Sequence, residues 1–403
     1  MLGRYAEPPS EHMAHLIHDM DTFFARSLGA AAIAVAAISP SAVAQSSRAP
    51  TGGPALASDP TPTPAVETIL ELFASYDIVA LPEAHGIKDL NDFLLSLVRN
   101  SELPQRINDI VIECGNSLYQ QVLDRYVAGD SVPLTEIRRV WRNTTQEACA
   151  TTGFFAQLVP LVRRINQRLD PRRRIRVLAP DPPIDWDKPS AQQDGVANRD
   201  ASISAVVQRE VLAKHRKALL LFGTFHVLHA SPITIHPTAV SDYEKSFPGR
   251  TFVIAPYIGF GNGTPLEREG HELEARLSRW PIPSVAQIKG TWLGALGFVY
   301  FFAPPMPPGA GCEALKSLPA PMRIPAADVI DGILYLGPKD LLLRDIAPPE
   351  VLLDSAYLAE LRRRSAGTPL TGALDTKHIL ERSADVFAYR PSRIVNGPVC
   401  SPR

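Results

Sequence analysis

A charge surplus of either kind is missing from this 403-residue chain: 41 basic residues against 42 acidic ones leave a formal net charge of −1. Without a surplus of cations the protein has no overall field for gathering nucleic acid or an anionic membrane surface, so no nucleic-acid partner is expected. Beyond the N-terminal leader, no run reaches the roughly 18–20 apolar residues of a membrane-spanning helix, so no transmembrane anchor is expected once the leader is removed. There is no GxSxG nucleophile elbow and no GxxxxGK[ST] phosphate loop. His271-Glu272 opens no zinc-protease motif, because no histidine follows at the required position. Self-similarity at 20–50 residues is also lacking, which excludes a solenoid or a propeller. Cysteine is scarce: Cys114, Cys149, Cys312 and Cys400 are all there are.

What is present begins with proline. The 38 prolines are roughly twice average usage, which disfavours a helical bundle and predicts many connecting loops. A 45% hydrophobic share is that of a folded globular protein. From Ser27 to Ser47 no residue is charged, and the apolar stretch 28–38 runs into Ser39-Pro40-Ser41 and then Ala42-Val43-Ala44. A short apolar core, a helix-breaking proline and small residues ahead of Gln45 are the pattern of a secretory signal peptide over residues 1–44. Glu7, Glu11 and Asp19 precede the apolar run, so translation is expected to start at Met20. Residues 45–64, rich in Ser, Thr, Pro, Gly and Ala, read as a lead-in, and the folded part is expected from Ala65. The expected location is therefore periplasmic or secreted, where disulfides can form. Four cysteines allow three pairings that sequence does not choose between. A bridge holding the tail through Cys312 or Cys400 is one reading, and a catalytic Cys114 following Glu113 is another.

Apolar runs suited to buried parallel strands lie at 77–81, 107–112, 175–179, 218–225, 251–258 and 332–336. Helix-like stretches at 90–100, 118–128, 134–141, 154–169 and 196–215 separate them, with Asp89 and Asn116 as N-caps for the first two. Alternation of this kind predicts an α/β fold, a mostly parallel sheet with helices on both faces. One domain is expected over 65–345, with an extension over 346–403 packing on it.

Ionisable residues gather where strands end. The first run leads into Pro82-Glu83-Ala84-His85-Gly86, the second into Glu113-Cys114-Gly115-Asn116, the third into Pro180-Asp181, and the fourth into His226. In a parallel sheet the carboxyl ends share one edge, where ligands bind. Glu83, His85, Glu113, Asp181 and His226 are thus predicted to converge on a site there. A carboxylate two residues from a histidine can fix its tautomer and leave the other ring nitrogen to take a proton from water. His226 could then polarise a carbonyl, with Glu113 orienting water or balancing an imidazolium. The same atom types also suit a divalent metal. His226, His229 and His236 are close in sequence, but the residues between them suggest an ordinary loop and strand.

These motifs, with Asp331-Gly-Ile-Leu-Tyr-Leu-Gly, resemble the erythromycin-esterase-like and ChaN-like superfamily in the right order over roughly 65–337. The resemblance implies an α/β fold with its site at the strand ends. Its esterase branch implies a hydrolase, acting without metal on an ester, lactone or related small-molecule bond. In it His85 is the general base, Glu83 its orienting carboxylate, and Glu113 and His226 supporting residues. Asn116, Arg142 and Asp181 are the candidate substrate contacts. The Glu83-x-His85 spacing is closer to the ChaN side. That side implies the alternative, a non-enzymatic binder of haem or a divalent metal.

Overall fold

Each central strand carries apolar residues on both of its faces. Val79 and Leu81 bury into one layer, while Ile78 and Ala80 bury into the other. The same alternation splits Ile110 and Ile112 from Val111, and Leu219 and Leu221 from Leu220. Strands buried on both sides need cover on both sides, and that is what parallel crossover connections supply. The computed structural model describes residues 57–82, 87–188, 199–230, 236–258, 267–298, 301, 324–343 and 347–365.

Among these, eight strands form a single mixed sheet in the order β1-β7-β8-β6-β2-β5-β3-β4. They are β1 (Thr63–Pro64), β2 (Ile78–Pro82), β3 (Asp109–Ile112), β4 (Arg176–Leu178), β5 (Ala218–Phe222), β6 (Thr251–Pro256), β7 (Ser284–Gln287) and β8 (Gly332–Tyr335). From β8 through β6, β2, β5 and β3 to β4 every pairing is parallel. The two strands at the other edge, β7 and β1, are antiparallel. Helices Lys88–Arg99, Gln120–Ala128 and Phe154–Asn166 contribute buried residues to one layer. Helices Arg199–Glu210, Ala239–Tyr243 and Glu267–Leu277 contribute to the other.

The α/β expectation holds, with differences in detail. Strand β1 lies within the segment read as a lead-in, and Ser58 already bridges to Thr291 ahead of it. The predicted helix at 134–141 is two short turns, Leu134–Ile137 and Arg139–Arg142. Asn116 does cap, its side chain accepting from the Leu118 N–H at 3.0 Å, but the turn it opens is the 3-10 segment Ser117–Tyr119. Asp89 is not an N-cap. That position belongs to Ile87, and the Asp89 carboxylate instead accepts the Leu343 N–H, a tertiary contact that local sequence does not encode.

Cys114 and Cys149 form a disulfide, Cα–Cα 6.2 Å, between the end of β3 and helix Glu147–Thr151. A thiol in a disulfide is no nucleophile, so the catalytic reading of Cys114 falls. The 35-residue separation makes the bridge worth about 3–4 kcal/mol by loop-closure entropy. Cys312 and Cys400, and with them the idea of a bridge to the tail, lie outside the described residues, as do the leader and its start site.

The chain beyond 346 reaches back through helix Ser355–Ser365. Tyr357, Leu358 and Leu361 bury against Ala150, and the Tyr357 hydroxyl donates to the Ala150 carbonyl at 3.0 Å. None of the described helices is long and apolar enough to cross a membrane.

Candidate functional site at the strand ends

Strands β3, β4 and β5 are adjacent and parallel, so their carboxyl ends deliver Glu113, Asp181 and His226 to one place. Glu113 leaves β3 with its backbone N–H still donating to the Leu221 carbonyl at 2.8 Å. Its side chain is only 2% exposed, and one carboxylate oxygen accepts the Gly223 N–H. Gly223 permits that contact, since a Cβ there would lie 3.0 Å from Glu113 Oε2. Gly115 serves a similar purpose, because a Cβ at that position would be 2.6 Å from the Ala179 Cα. Asp181, fully buried, is held by a backbone exchange in which its N–H donates to Gly115 and its carbonyl accepts from Ser117.

The residue joining these groups is Arg199, in the first turn of helix Arg199–Glu210 and 5% exposed. Its Nη2 donates to Glu113 Oε1 at 2.9 Å, its Nε to Asp181 Oδ1 at 3.2 Å, and its Nη1 lies 3.2 Å from His226 Nε2. The neighbouring Asp200 accepts on the other side of the imidazole, Oδ1 to Nδ1 2.8 Å. In sequence Arg199 and Asp200 are simply part of the helix-like stretch 196–215.

Chemistry follows from this arrangement. A guanidinium donates and never accepts, so a bond between Arg199 Nη1 and His226 Nε2 uses the ring's lone pair and turns Nδ1–H toward Asp200, with Glu113 Oε1 3.6 Å from Nε2. In that bonded arrangement His226 has no spare N–H for a ligand. Of the five guanidinium N–H bonds, three are committed, and a fourth approaches Cys114 Sγ at 3.8 Å. Burial works to lower the Arg199 pKa, but Asp181 and Glu113 outweigh it and hold the pKa above its ordinary value. Burial pushes the Asp181 carboxyl above the usual carboxylate range, against the pull of Arg199. Its Oδ2 is buried and has no hydrogen-bond partner among the described residues.

Other predicted contacts are engaged elsewhere. The Asn116 carboxamide donates to the carbonyls of Asn143 and Ile184 and accepts from the N–H of Leu118 and Ile184, which makes it a hub for the loops after β3 and β4. Arg142 pairs with Asp354 at 3.0 Å and stacks 4.2 Å from the Tyr357 ring centroid, so its partners belong to the C-terminal segment. Glu83 and His85 lie outside the described residues. The strand leading to them ends at Pro82, in register with Phe222, one residue before Gly223.

A resident metal is poorly matched to this donor set. Glu113, Asp181 and His226 already face a guanidinium cation. Glu113, Cys114 and Cys149 lie close enough together for one ion, but the two sulfurs are bonded to each other.

No family model matches the chain, and no curated protein matches it in sequence. Among solved structures, a Bacillus cereus protein is 11% identical at a TM-score of 0.45, over 69% of this chain and 95% of its own. A succinoglycan biosynthesis protein is 9% identical at 0.44, over 70% and 95%. The haem-binding ChaN of Campylobacter jejuni is 13% identical at 0.30, over 49% of this chain and 86% of its own.

Proposed function

We infer that the protein is an exported hydrolase-like enzyme that activates water against an ester, lactone or related small-molecule bond. The observation that supports this most directly is the preorganised cluster of Arg199 with Glu113, Asp181 and His226 beside the end of β2. In this reading His85 takes the proton from water and Glu83 orients its ring. Arg199, fixed by three partners, turns an uncommitted N–H toward the oxygen on which negative charge develops. A donor held in place before reaction costs no reorganisation during it, which is where such sites gain most. Export rests on the leader pattern at residues 1–44.

The test is an ester and lactone panel run on the mature chain. Turnover is expected to disappear in His85→Ala, to fall about 100-fold or more in Arg199→Lys, and to survive a chelator. If no panel member turns over, or if hemin gives a Soret band that His85→Ala abolishes, the hydrolase reading is replaced by the binding one.

A further inference from the structure

A closed circuit of contacts runs from the strand-end cluster to a second group of charges. Asp200 Oδ1, which faces His226 Nδ1 at 2.8 Å, also accepts the Ala239 N–H at 3.0 Å, so one oxygen joins the ring to the first residue of helix Ala239–Tyr243. The residue after that helix is Glu244, whose Oε2 lies 2.7 Å from His229 Nδ1. The chain from His229 back to His226 closes the circuit. Thr238, the N-cap of the same helix, donates to the Leu228 carbonyl within that stretch at 2.6 Å. We propose that His229 is a positioning residue for the strand-end site, holding helix Ala239–Tyr243 so that its first N–H fixes Asp200, and Asp200 the ring of His226. Such a role rests on the hydrolase reading, because a held imidazole serves chemistry only if that cluster is the site.

The two sides of His229 are anchored unequally. Its Nε2 faces Asp331 Oδ2 at 2.7 Å, and that oxygen also accepts the Val253 N–H at 2.8 Å. The Asp331 N–H donates to the Val253 carbonyl at 2.9 Å, and the His229 N–H to the Val329 carbonyl at 3.0 Å. Glu244 has less to hold it. Its Oε1 is buried and has no hydrogen-bond partner among the described residues, so its carboxylate depends on the His229 ring. Asp331 and Glu244 are the charged groups that act on that ring. Asp242, on the helix itself, turns instead to Ser204 and Lys245.

An imidazolium donates from both nitrogens, whereas a neutral imidazole donates from one. Loss of the His229 proton therefore leaves one of two partly buried carboxylates without its donor, and the less anchored one is Glu244. An acceptor left unpaired favours a rearrangement that wets it. Helix Ala239–Tyr243 has five residues, little more than one turn, so its two ends do not move independently. A shift at Glu244 is thus passed to the Ala239 N–H and to Asp200. The Ser204 hydroxyl, which donates to Asp242 Oδ2 at 2.8 Å, ties the helix carrying Arg199 and Asp200 to the same unit.

The test is nitrogen-15 NMR of the histidine rings on the full mature chain between pH 7.5 and 10, with the His226 signals assigned from their loss in His226→Asn. The His226 Nδ1 resonance is expected to step with a midpoint at about pH 9, where His229 gives up its proton. His229→Gln should abolish the step and hold His226 in the alkaline state throughout. His229→Lys, with an ordinary ammonium pKa of about 10.4, should hold the neutral-pH state past that midpoint. Ala239→Pro cuts the circuit, removing the N–H that Asp200 accepts at a first helical position that tolerates proline, after a Thr238 that is already extended. There His229 should still titrate at about 9 while the His226 step shrinks about threefold or more. A His226 resonance flat across the wild-type titration, a step that survives in His229→Gln, or one of full size in Ala239→Pro would overturn the proposal. An ester panel without turnover beside an intact step would remove the hydrolase reading and keep the circuit, so the two fail separately.

Discussion

His226 and His229 are three residues apart and each lies between charged side chains, yet they are built for different work. His226 has a carboxylate at Nδ1, from Asp200, while at Nε2 the nearest group is the Arg199 guanidinium at 3.2 Å, with Glu113 Oε1 behind it at 3.6 Å. His229 has carboxylates at both nitrogens, Glu244 Oε2 on Nδ1 and Asp331 Oδ2 on Nε2, each at 2.7 Å. Two acceptors fix His229 as an imidazolium. Burial alone would lower its pKa, but Asp331 and Glu244 prevail and raise it from 6.5 to about 9. Asp331 Oδ2 also accepts the Val253 N–H, so this ion triad fastens the loop after β5 to β6 and to the start of β8. The nearest partner on the second nitrogen, a guanidinium for one ring and a carboxylate for the other, separates a histidine at the candidate site from a charged structural rivet.

The largest effect should come from removing the cation that defines the first environment. Arg199→Met leaves Glu113 and Asp181 buried without their shared partner, and breaking such a pair typically costs about 3–5 kcal/mol. Urea unfolding should show that loss near neutral pH. A loss below about 1 kcal/mol would mean that the two carboxyls simply take up protons and that the guanidinium does not organise the cluster.

The second environment should reveal itself through pH. Below about 6.5 the His229 ring is protonated both folded and unfolded, and its ion pairs contribute in full. Between 6.5 and about 9 only the folded chain keeps the proton, so the contribution shrinks as pH rises and is gone above 9. The span corresponds to about 3 kcal/mol lost on the alkaline side. Stability measured from pH 6 to 10 should show this limb, and His229→Gln should flatten it. A limb of unchanged depth in that variant would assign it to other groups.

How much of this could be read from sequence depends on the range of the interactions. The six parallel strands were legible because burial on both faces leaves continuous apolar runs such as Ala218–Phe222. Strand β7 was not, since Ser-Val-Ala-Gln is short and gains its identity only by pairing with β8. Glu113, Asp181 and His226 were legible as a group because parallel topology carries successive strand ends to one edge. Arg199 reaches that edge from a helix, and nothing in its neighbours announces the two carboxylates waiting for it. The Cys114–Cys149 pairing is likewise a fact of three-dimensional distance, and so is the double pairing of His229.

The smallest effect expected separates the two histidines most sharply. His226→Asn retains a side-chain N–H for Asp200 and removes only the acceptor facing Arg199, a loss of about 1 kcal/mol for one hydrogen bond at a partly exposed position. Because the alkaline limb belongs to His229, it should keep its full depth in the variant, whereas any turnover that depends on the orientation of Arg199 should fall. Differential unfolding at pH 6 and pH 9 with the wild type alongside reads both quantities. If His226→Asn flattened the alkaline limb as His229→Gln should, the limb could not be assigned to His229. If turnover held at the wild-type rate in His226→Asn, the contact at Nε2 would not orient the guanidinium, and the proposed role of Arg199 as the charge-stabilising group would lose that support.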